Sequence, residues 1–392
     1  MVSQVSPFFR PLKRHMGYIK EKIKSREKGR ILDMHEYVRI KNIKEGDILG
    51  RAVYDEKCRV LLRDGNKITN RSLETLKELG YKGLYIENDT SKRREDIPIA
   101  EPLLEDITVL QMIGLLNDLF NNRNPENNVF DPLFTITRKK LEDLVEEMVD
   151  RFFKLEAEGK LVYETEDNRN NKNWLLYHSL NTAIITCGTA IKMGLTKAEV
   201  VFMTLGALYH DYGKALLNVV LINNTNLSNR DREEIRTHTE KAFRVFQRLN
   251  YPIETTYSIW FHHEHCDGTG YPKAVKGDKI PVGAKIVGLA SYFDNKVNYT
   301  PYNKNPLNYN DAIEQLSADS KFDNECKRAM MQFVCAYPVG SKVELSNGMQ
   351  GLVIKNIPAF ILRPYVLVGR ELYDLAKDDK CLSITITRLI EQ

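Results

Sequence analysis

The 392-residue chain contains no run of eighteen apolar residues, and none of its six cysteines pairs with another as Cys-x-x-Cys. The first absence gives no sign of a membrane-spanning helix, and the second argues against a zinc ribbon or a disulfide framework. The N-terminus lacks the apolar core of a signal peptide, so the expectation is a cytoplasmic protein with reduced thiols. No 20–50-residue repeat or long low-complexity tract is visible, which argues against a solenoid and against extended disorder.

Net charge is also scarce. The formal balance is +4, but residues 1–30 hold nine Lys/Arg against Glu21 and Glu27, a local +7 that leaves the rest near −3. Such a basic head suits a solvated tail or surface helix, and no nucleic-acid polymer is expected as a partner.

The length exceeds what one compact core supports, and an apolar fraction of 42% is ample for two or three domains. After the basic extension (1–34), a small α+β domain is expected over 35–92. It opens with the alternation Tyr37-Val38-Arg39-Ile40, continues through Val60-Leu61-Leu62, and closes with a helix over Ser72–Leu79 before Gly80. A linker and helical region follows over 93–164, with Asn-rich turns at 121–128 and 168–173. Helices are expected at 174–193, 196–212, 229–249, 252–264, 282–298, 309–318 and 322–336 within a body spanning 165–336. Short alternating runs (Lys342–Leu345, Gly351–Ile354, Leu382–Ile386) point to a β-rich appendage over 337–392. The fold class expected is mainly α. The stripe Leu141, Leu144, Met148 and Phe152 suits packing against the chain's own body, with a homodimer as the alternative.

Histidine is rare but concentrated. Six of only eight fall between His178 and His265, and the densest stretch is His262-His263-Glu264-His265-Cys266-Asp267-Gly268-Thr269-Gly270-Tyr271-Pro272. Adjacent imidazoles, a carboxylate and a glycine-rich turn suit a metal site that opens onto a substrate loop. Any single member has a plain alternative: His210-Asp211 alone reads as a helix cap, and Cys266 reads as a structural thiol rather than a soft ligand. His178, His210, Asp211, His238, His262 and His263 sit on or at the ends of separate expected helices, and together they point to ligands converging in a bundle core. Gly268 and Gly270 permit tight turns and close backbone approach, and Tyr271 offers a ring face or a hydroxyl.

These residues resemble the HD-GYP subgroup of HD-domain phosphohydrolases: His178, His210-Asp211-x-Gly213-Lys214, His238, and His262-His263-Glu264-x-x-Asp267-Gly268-Thr269-Gly270-Tyr271-Pro272. The resemblance covers about residues 165–336, and residues 38–88 look like the small domain often fused ahead of such proteins. It implies a helical HD-domain bundle that hydrolyses cyclic di-GMP, or a related cyclic dinucleotide, to pGpG or GMP with divalent metal ions, iron or manganese above all. It places His178, His210 and Asp211 around one ion, with Asp211 bridging to a second held by His238, His262 and His263. Asp211 and Lys214 become the catalytic residues, and Lys214, Gly270 and Tyr271 the substrate-binding ones.

The chain also departs from the pattern. Where the subgroup reads Ala-Arg-Ile-x-x-x-Ala-Asp-x-Phe-Asp, this chain has Ala284-Lys285-Ile286 through Ala290-Ser291-Tyr292-Phe293-Asp294, so Ser291 stands where a metal-binding aspartate is usual. Asp294, one helical turn on, is the nearest substitute ligand. The usual Arg-Pro-Tyr-Lys or Arg-Pro-Tyr-Arg segment is Thr300-Pro301-Tyr302-Asn303, without its two phosphate-facing cations. Trp174 replaces the glutamate of trinuclear members, which leaves two ions rather than three, and His238 is followed by Thr239 instead of proline. Three readings stand: a binuclear phosphodiesterase, a catalytically impaired module that binds a nucleotide or a signalling protein, or a hydrolase of another phosphoester.

Overall fold

The computed structural model describes residues 35–55, 57–87, 102–121, 131–163, 169–358 and 360–390. The basic extension, the start of the linker region as far as residue 101, and all but Asn121 of the first Asn-rich turn lie outside the described residues.

The N-terminal module pairs β1 (His35–Arg39) antiparallel with β4 (Gly83–Glu87), and β2 (Val53–Tyr54) with β3 (Val60–Leu62). Between them, α1 (Asn70–Leu79) starts at a capping box built by Thr69 and Ser72 and stops at Gly80, whose φ of 88° turns the chain out of the helix. The module has its own small core of Ile43, Leu49, Val53, Ile68, Leu73, Leu76, Tyr81, Leu84 and Ile86.

The body is helical: α2 (Asp106–Asn121), α3 (Pro132–Ala157), α4 (Trp174–Lys192), α5 (Lys197–Tyr209), α6 (Tyr212–Ala215), α7 (Val219–Ile222), α8 (Asn229–Arg236), α9 (His238–Arg248), α10 (Ile253–Phe261), α11 (Val282–Val297), α12 (Tyr309–Ala318) and α13 (Asn324–Met331). At its centre lies α4, in which every residue from Leu176 to Ile191 is buried. A helix with no solvated face belongs to a core, and here packing against α5 and α11 stabilises a run rich in Thr and Ile that has modest intrinsic helix propensity. Each fully buried Leu or Ile contributes about 1.5–3 kcal/mol. On α3, Leu141, Met148 and Phe152 are buried in this same core and Leu144 packs against it, so the stripe is spent inside the chain.

Two of the expected helices are broken. The run 196–212 ends at Tyr209 and resumes at Tyr212, and the run 229–249 divides at Thr237, whose hydroxyl donates to Glu234 O at 2.6 Å. Both interruptions fall beside metal-ligand candidates: His210 and Asp211 occupy the first break, and His238 opens the helix after the second.

The C-terminal sheet has the order β8 (Glu371–Asp374), β7 (Tyr365–Val368), β6 (Gln350–Lys355), β5 (Lys342–Leu345), β9 (Ile386–Leu389), all antiparallel. The expected final strand begins later than Leu382, and β7 and β8 are additional. Val343, Leu345, Val353 and Val366 are buried in the same cluster as the helices, so one face of the sheet closes the body's core.

Candidate metal centre

Four helices deliver the six residues of the site. His178 lies one turn into α4, His210 and Asp211 follow α5, His238 opens α9, and His262 and His263 follow α10. Helix ends suit this task, because a side chain leaving the last turn can face sideways into the bundle while the backbone turns away.

Three of the imidazoles are held alike. His210 Nδ1 meets Ala207 O at 2.6 Å, His238 Nδ1 meets Ile235 O at 2.6 Å, and His262 Nδ1 meets Ile259 O at 2.7 Å. A carbonyl only accepts, so each Nδ1 donates its proton and each Nε2 carries a lone pair. His178 Nδ1 instead meets Asp294 Oδ2 at 2.6 Å. The Nε2 atoms point inward at one another: His178 to His210 at 3.2 Å, and His238 to His262 at 3.4 Å.

Opposed lone pairs at such distances repel unless a proton or a cation lies between them. Protons are a poor answer, because burial pushes His210 down to about 3 and drives His262 and His263 well below the usual imidazole range. A cation fits. Metal–imidazole bonds of about 2.1 Å meeting near a right angle set two nitrogens about 3 Å apart.

Asp211 joins the imidazoles into two groups, His178 with His210 and Asp211, and His238 with His262, His263 and Asp211. Within each group the ligand atoms lie within 4.8 Å of one another. Asp211 Oδ2 is 3.5 Å from both His178 and His210, and Oδ1 is 3.2 Å from His238 Nε2. Oδ1 is buried and accepts no hydrogen bond, which suits a bridging carboxylate with one oxygen per ion. Burial alone would raise this carboxyl's pKa, but Lys214, ahead of His210 and His238, holds it well below the carboxylate range. Lys214 Nζ sits 2.6 Å from Asp211 Oδ2 at the edge of the cluster.

Asp294 lies apart from both groups. Its Oδ1 accepts from Arg169, Asn181 and Asn298, and its Oδ2 from Arg169 and from His178 Nδ1. A carboxylate so occupied has no oxygen to offer a metal ion, and the expectation that it replaces the missing ligand is corrected here. Ser291, on the same face of α11, holds its hydroxyl 3.2 Å from His178 Nε2. The single imidazole of His178 is thus approached at one end by Asp294 and at the other by Ser291.

Tyr271 stacks on His263 with ring centroids 4.6 Å apart, and the Arg236 guanidinium lies 5.1 Å over the Tyr271 ring. Tyr271 N–H donates to His263 O, and Glu264 accepts from the backbone of Lys273 and Val275, pinning the glycine-rich loop. His265 bonds to Thr269, and Cys266 belongs to neither ligand group. Trp174 stands edge-on to Tyr302 and 6.0 Å from Lys214 Nζ. The Thr300 hydroxyl accepts from the backbone of Tyr302 and Asn303, while the Asn303 amide donates to the carbonyls of Asn295, Lys296 and Asn298 at the end of α11, so both are used locally.

Three glycines make the site possible, and sequence reasoning noted only Gly270 for close approach. A Cβ on Gly213 would lie 1.9 Å from His238 O, one on Gly270 2.4 Å from His263 O, and one on Gly288 2.3 Å from His262 O. Each abuts the backbone of a site histidine, and side chains there would force the ligands apart. Gly213 stands inside the His210–Lys214 motif and was findable on that ground; Gly288 and Arg169 carried no local signal.

Comparison with known protein families matches residues 141–326 to the HD domain. Residues 141–326 of this chain are therefore an HD domain. Its curated relatives include a cyclic di-GMP phosphodiesterase of Borreliella burgdorferi, 27% identical over 45% of this chain and 47% of that one. A cyclic di-GMP phosphodiesterase of Thermotoga maritima is 27% identical over 47% and 49%, and a 3'3'-cGAMP-specific phosphodiesterase of Vibrio cholerae 28% identical over 41% and 35%. The chain spans about half the length or less of these relatives.

Proposed function

We propose that this HD-GYP protein is a metal-dependent phosphodiesterase that opens cyclic dinucleotides, cyclic di-GMP foremost, to pGpG or GMP. The observation that carries it is the pair of inward-facing imidazole clusters sharing Asp211, with Lys214 at their edge. Residues His178, His210 and Asp211 would hold one divalent ion, and Asp211, His238, His262 and His263 a second; the imidazole-rich donor set suits iron, and manganese enters through the family resemblance. Two such ions neutralise phosphodiester oxygens and lower the pKa of water from about 15.7 towards about 7.

The chain's own residues do the rest. Lys214 Nζ donates to a phosphate or leaving oxygen at the cluster's edge. Tyr271, stacked on His263 and covered by Arg236, shapes the wall that receives the nucleotide, and Gly270 lets the loop approach His263. Burial of the imidazoles and of Asp211 keeps bulk water from screening these charges.

A second reading, a nucleotide-binding or scaffolding module with little turnover, is favoured by Ser291 in place of a carboxylate and by Thr300 and Asn303, whose side chains are bonded to nearby backbone. Anaerobically purified protein supplied with Mn²⁺ or Fe²⁺ and cyclic di-GMP decides between them. Turnover to pGpG that disappears in Asp211→Ala supports the enzyme; two bound ions without turnover of any cyclic dinucleotide selects the binding module.

A further inference from the structure

Asp294 and Arg169 form a buried pair that no metal group contains. Arg169 presents its guanidinium as a two-toothed fork, Nη1 to Oδ2 at 3.2 Å and Nη2 to Oδ1 at 2.9 Å, with the two side chains 5% and 0% exposed. Two buried charges cost several kcal/mol each to desolvate, and a hydrophobic pair of similar volume would often serve stability better. The pair has a specific output, because Asp294 Oδ2 also holds His178 Nδ1 at 2.6 Å.

The four histidines of the two groups whose Nδ1 contacts are defined divide into two kinds. His210, His238 and His262 are oriented by carbonyls of their own helical turn, three residues back, so their orientation comes with the helix. His178 is oriented by a carboxylate from α11, which is fixed in turn by Arg169, 125 positions away in sequence, and by the Asn181 and Asn298 amides. Among these four histidines, the long-range support falls on His178, a member of the group with His210 and Asp211.

We propose that Asp294 and Arg169 are positioning residues for His178, and that they set the affinity of one of the two metal subsites while leaving the other alone. Asp294 keeps the proton on His178 Nδ1, so Nε2 stays a lone pair aimed at His210 and Asp211, and its charge makes that nitrogen a better donor. Arg169 stops Asp294 from rotating. The proposal rests on the two-ion reading of the site, not on the identity of the substrate.

The test is metal binding by the full chain carrying Asp294→Asn or Arg169→Lys, read as equivalents bound and as the Co²⁺ absorption spectrum. The first removes the charge at nearly constant shape, and the second keeps the charge but loses the fork. The expected result is two equivalents in wild type, one of them weakened about 10–100-fold in Asp294→Asn and less in Arg169→Lys, with the other unchanged. Equal weakening of both ions, as a general loss of structure would give, overturns the proposal. So does wild-type affinity for both ions in Asp294→Asn, or a wild-type chain whose only ion ignores the substitution. If Asp294→Asn fails to fold, Arg169→Lys carries the same comparison. A chain that binds two ions, loses one selectively in these variants and hydrolyses nothing keeps this proposal and sinks the phosphodiesterase reading.

Discussion

Ser291→Asp should change the protein in opposite directions with and without metal. Ser291 is 3% exposed, and its hydroxyl lies 3.2 Å from His178 Nε2, which is itself 3.5 Å from Asp211 Oδ2. The two positions are therefore at most 6.7 Å apart, the sum of those distances. Two carboxylates at about 6 Å repel by about 3 kcal/mol at an effective dielectric of about 20, before the desolvation of the new charge is counted. Metal-free Ser291→Asp should accordingly melt lower, by several degrees at about 2–4 °C per kcal/mol for a domain of this size. With Mn²⁺ the same carboxylate meets a dication instead of a like charge, and metal affinity should rise at least about tenfold. Paired melting curves in chelator and in excess Mn²⁺ give both signs in one experiment. A variant that is destabilised equally in both, or that binds Mn²⁺ no tighter than wild type, refutes the placement of Ser291 beside the ion.

Gly213→Ala should cost metal binding, even though alanine is the better helix former by about 1 kcal/mol: its Cβ would fall 1.9 Å from His238 O, and the resulting shift of His238 by an ångström or more should lower affinity or turnover about 100-fold, as metal titration would show. The metal-free protein should gain stability as pH rises from about 3 to 6.5. His210 is pushed down to about 3 in the folded chain and titrates near 6.5 unfolded, so the unfolded state binds more protons across that window. Urea unfolding at pH 5 and pH 7 in chelator measures this, with a slope of at most about 1.4 kcal/mol per pH unit for each such imidazole, and a flat profile would contradict it.

Much of this protein can be read from its residues, and the failures have physical causes. The histidine-bearing helix ends were legible because rare residue types cluster there and the apolar residues between them recur at helical spacing. The breaks at His210 and Thr237 were not, since apolar periodicity runs on through Leu208, Tyr209 and Tyr212 and through Ile235 and Phe243, and nothing local signals that the backbone turns. Asp294 was misplaced for a related reason. Its spacing of three from Ser291 does put both on one face of α11, but only tertiary structure reveals that Arg169 and two amides have already claimed its oxygens. The missed strand β7 follows Pro364 and offers only four residues, too few for alternation to show.

Against the pattern's binuclear members, the departures at Ser291 and at Thr300 and Asn303 act on charge in opposite senses. Losing a carboxylate at Ser291 makes the site more positive by one unit, and losing the cations at Thr300 and Asn303 makes it more negative by two, so the net change is a single unit. What changes more is where positive charge resides. Lys214 is tied to Asp211 at 2.6 Å and Arg236, over Tyr271, to Glu233 at 2.9 Å, so both cations are partly neutralised before any phosphate arrives. Attraction for a substrate carrying two phosphates then rests mainly on the ions, and nucleotide binding should require them. Calorimetric titration of cyclic di-GMP into chelator-treated protein should give no measurable heat, whereas Mn²⁺-loaded Asp294→Asn, with one subsite weakened, should bind more weakly than loaded wild type. Equal dissociation constants with and without metal would place the phosphate-binding charge on side chains, and would make the loss at Thr300 and Asn303 irrelevant to recognition.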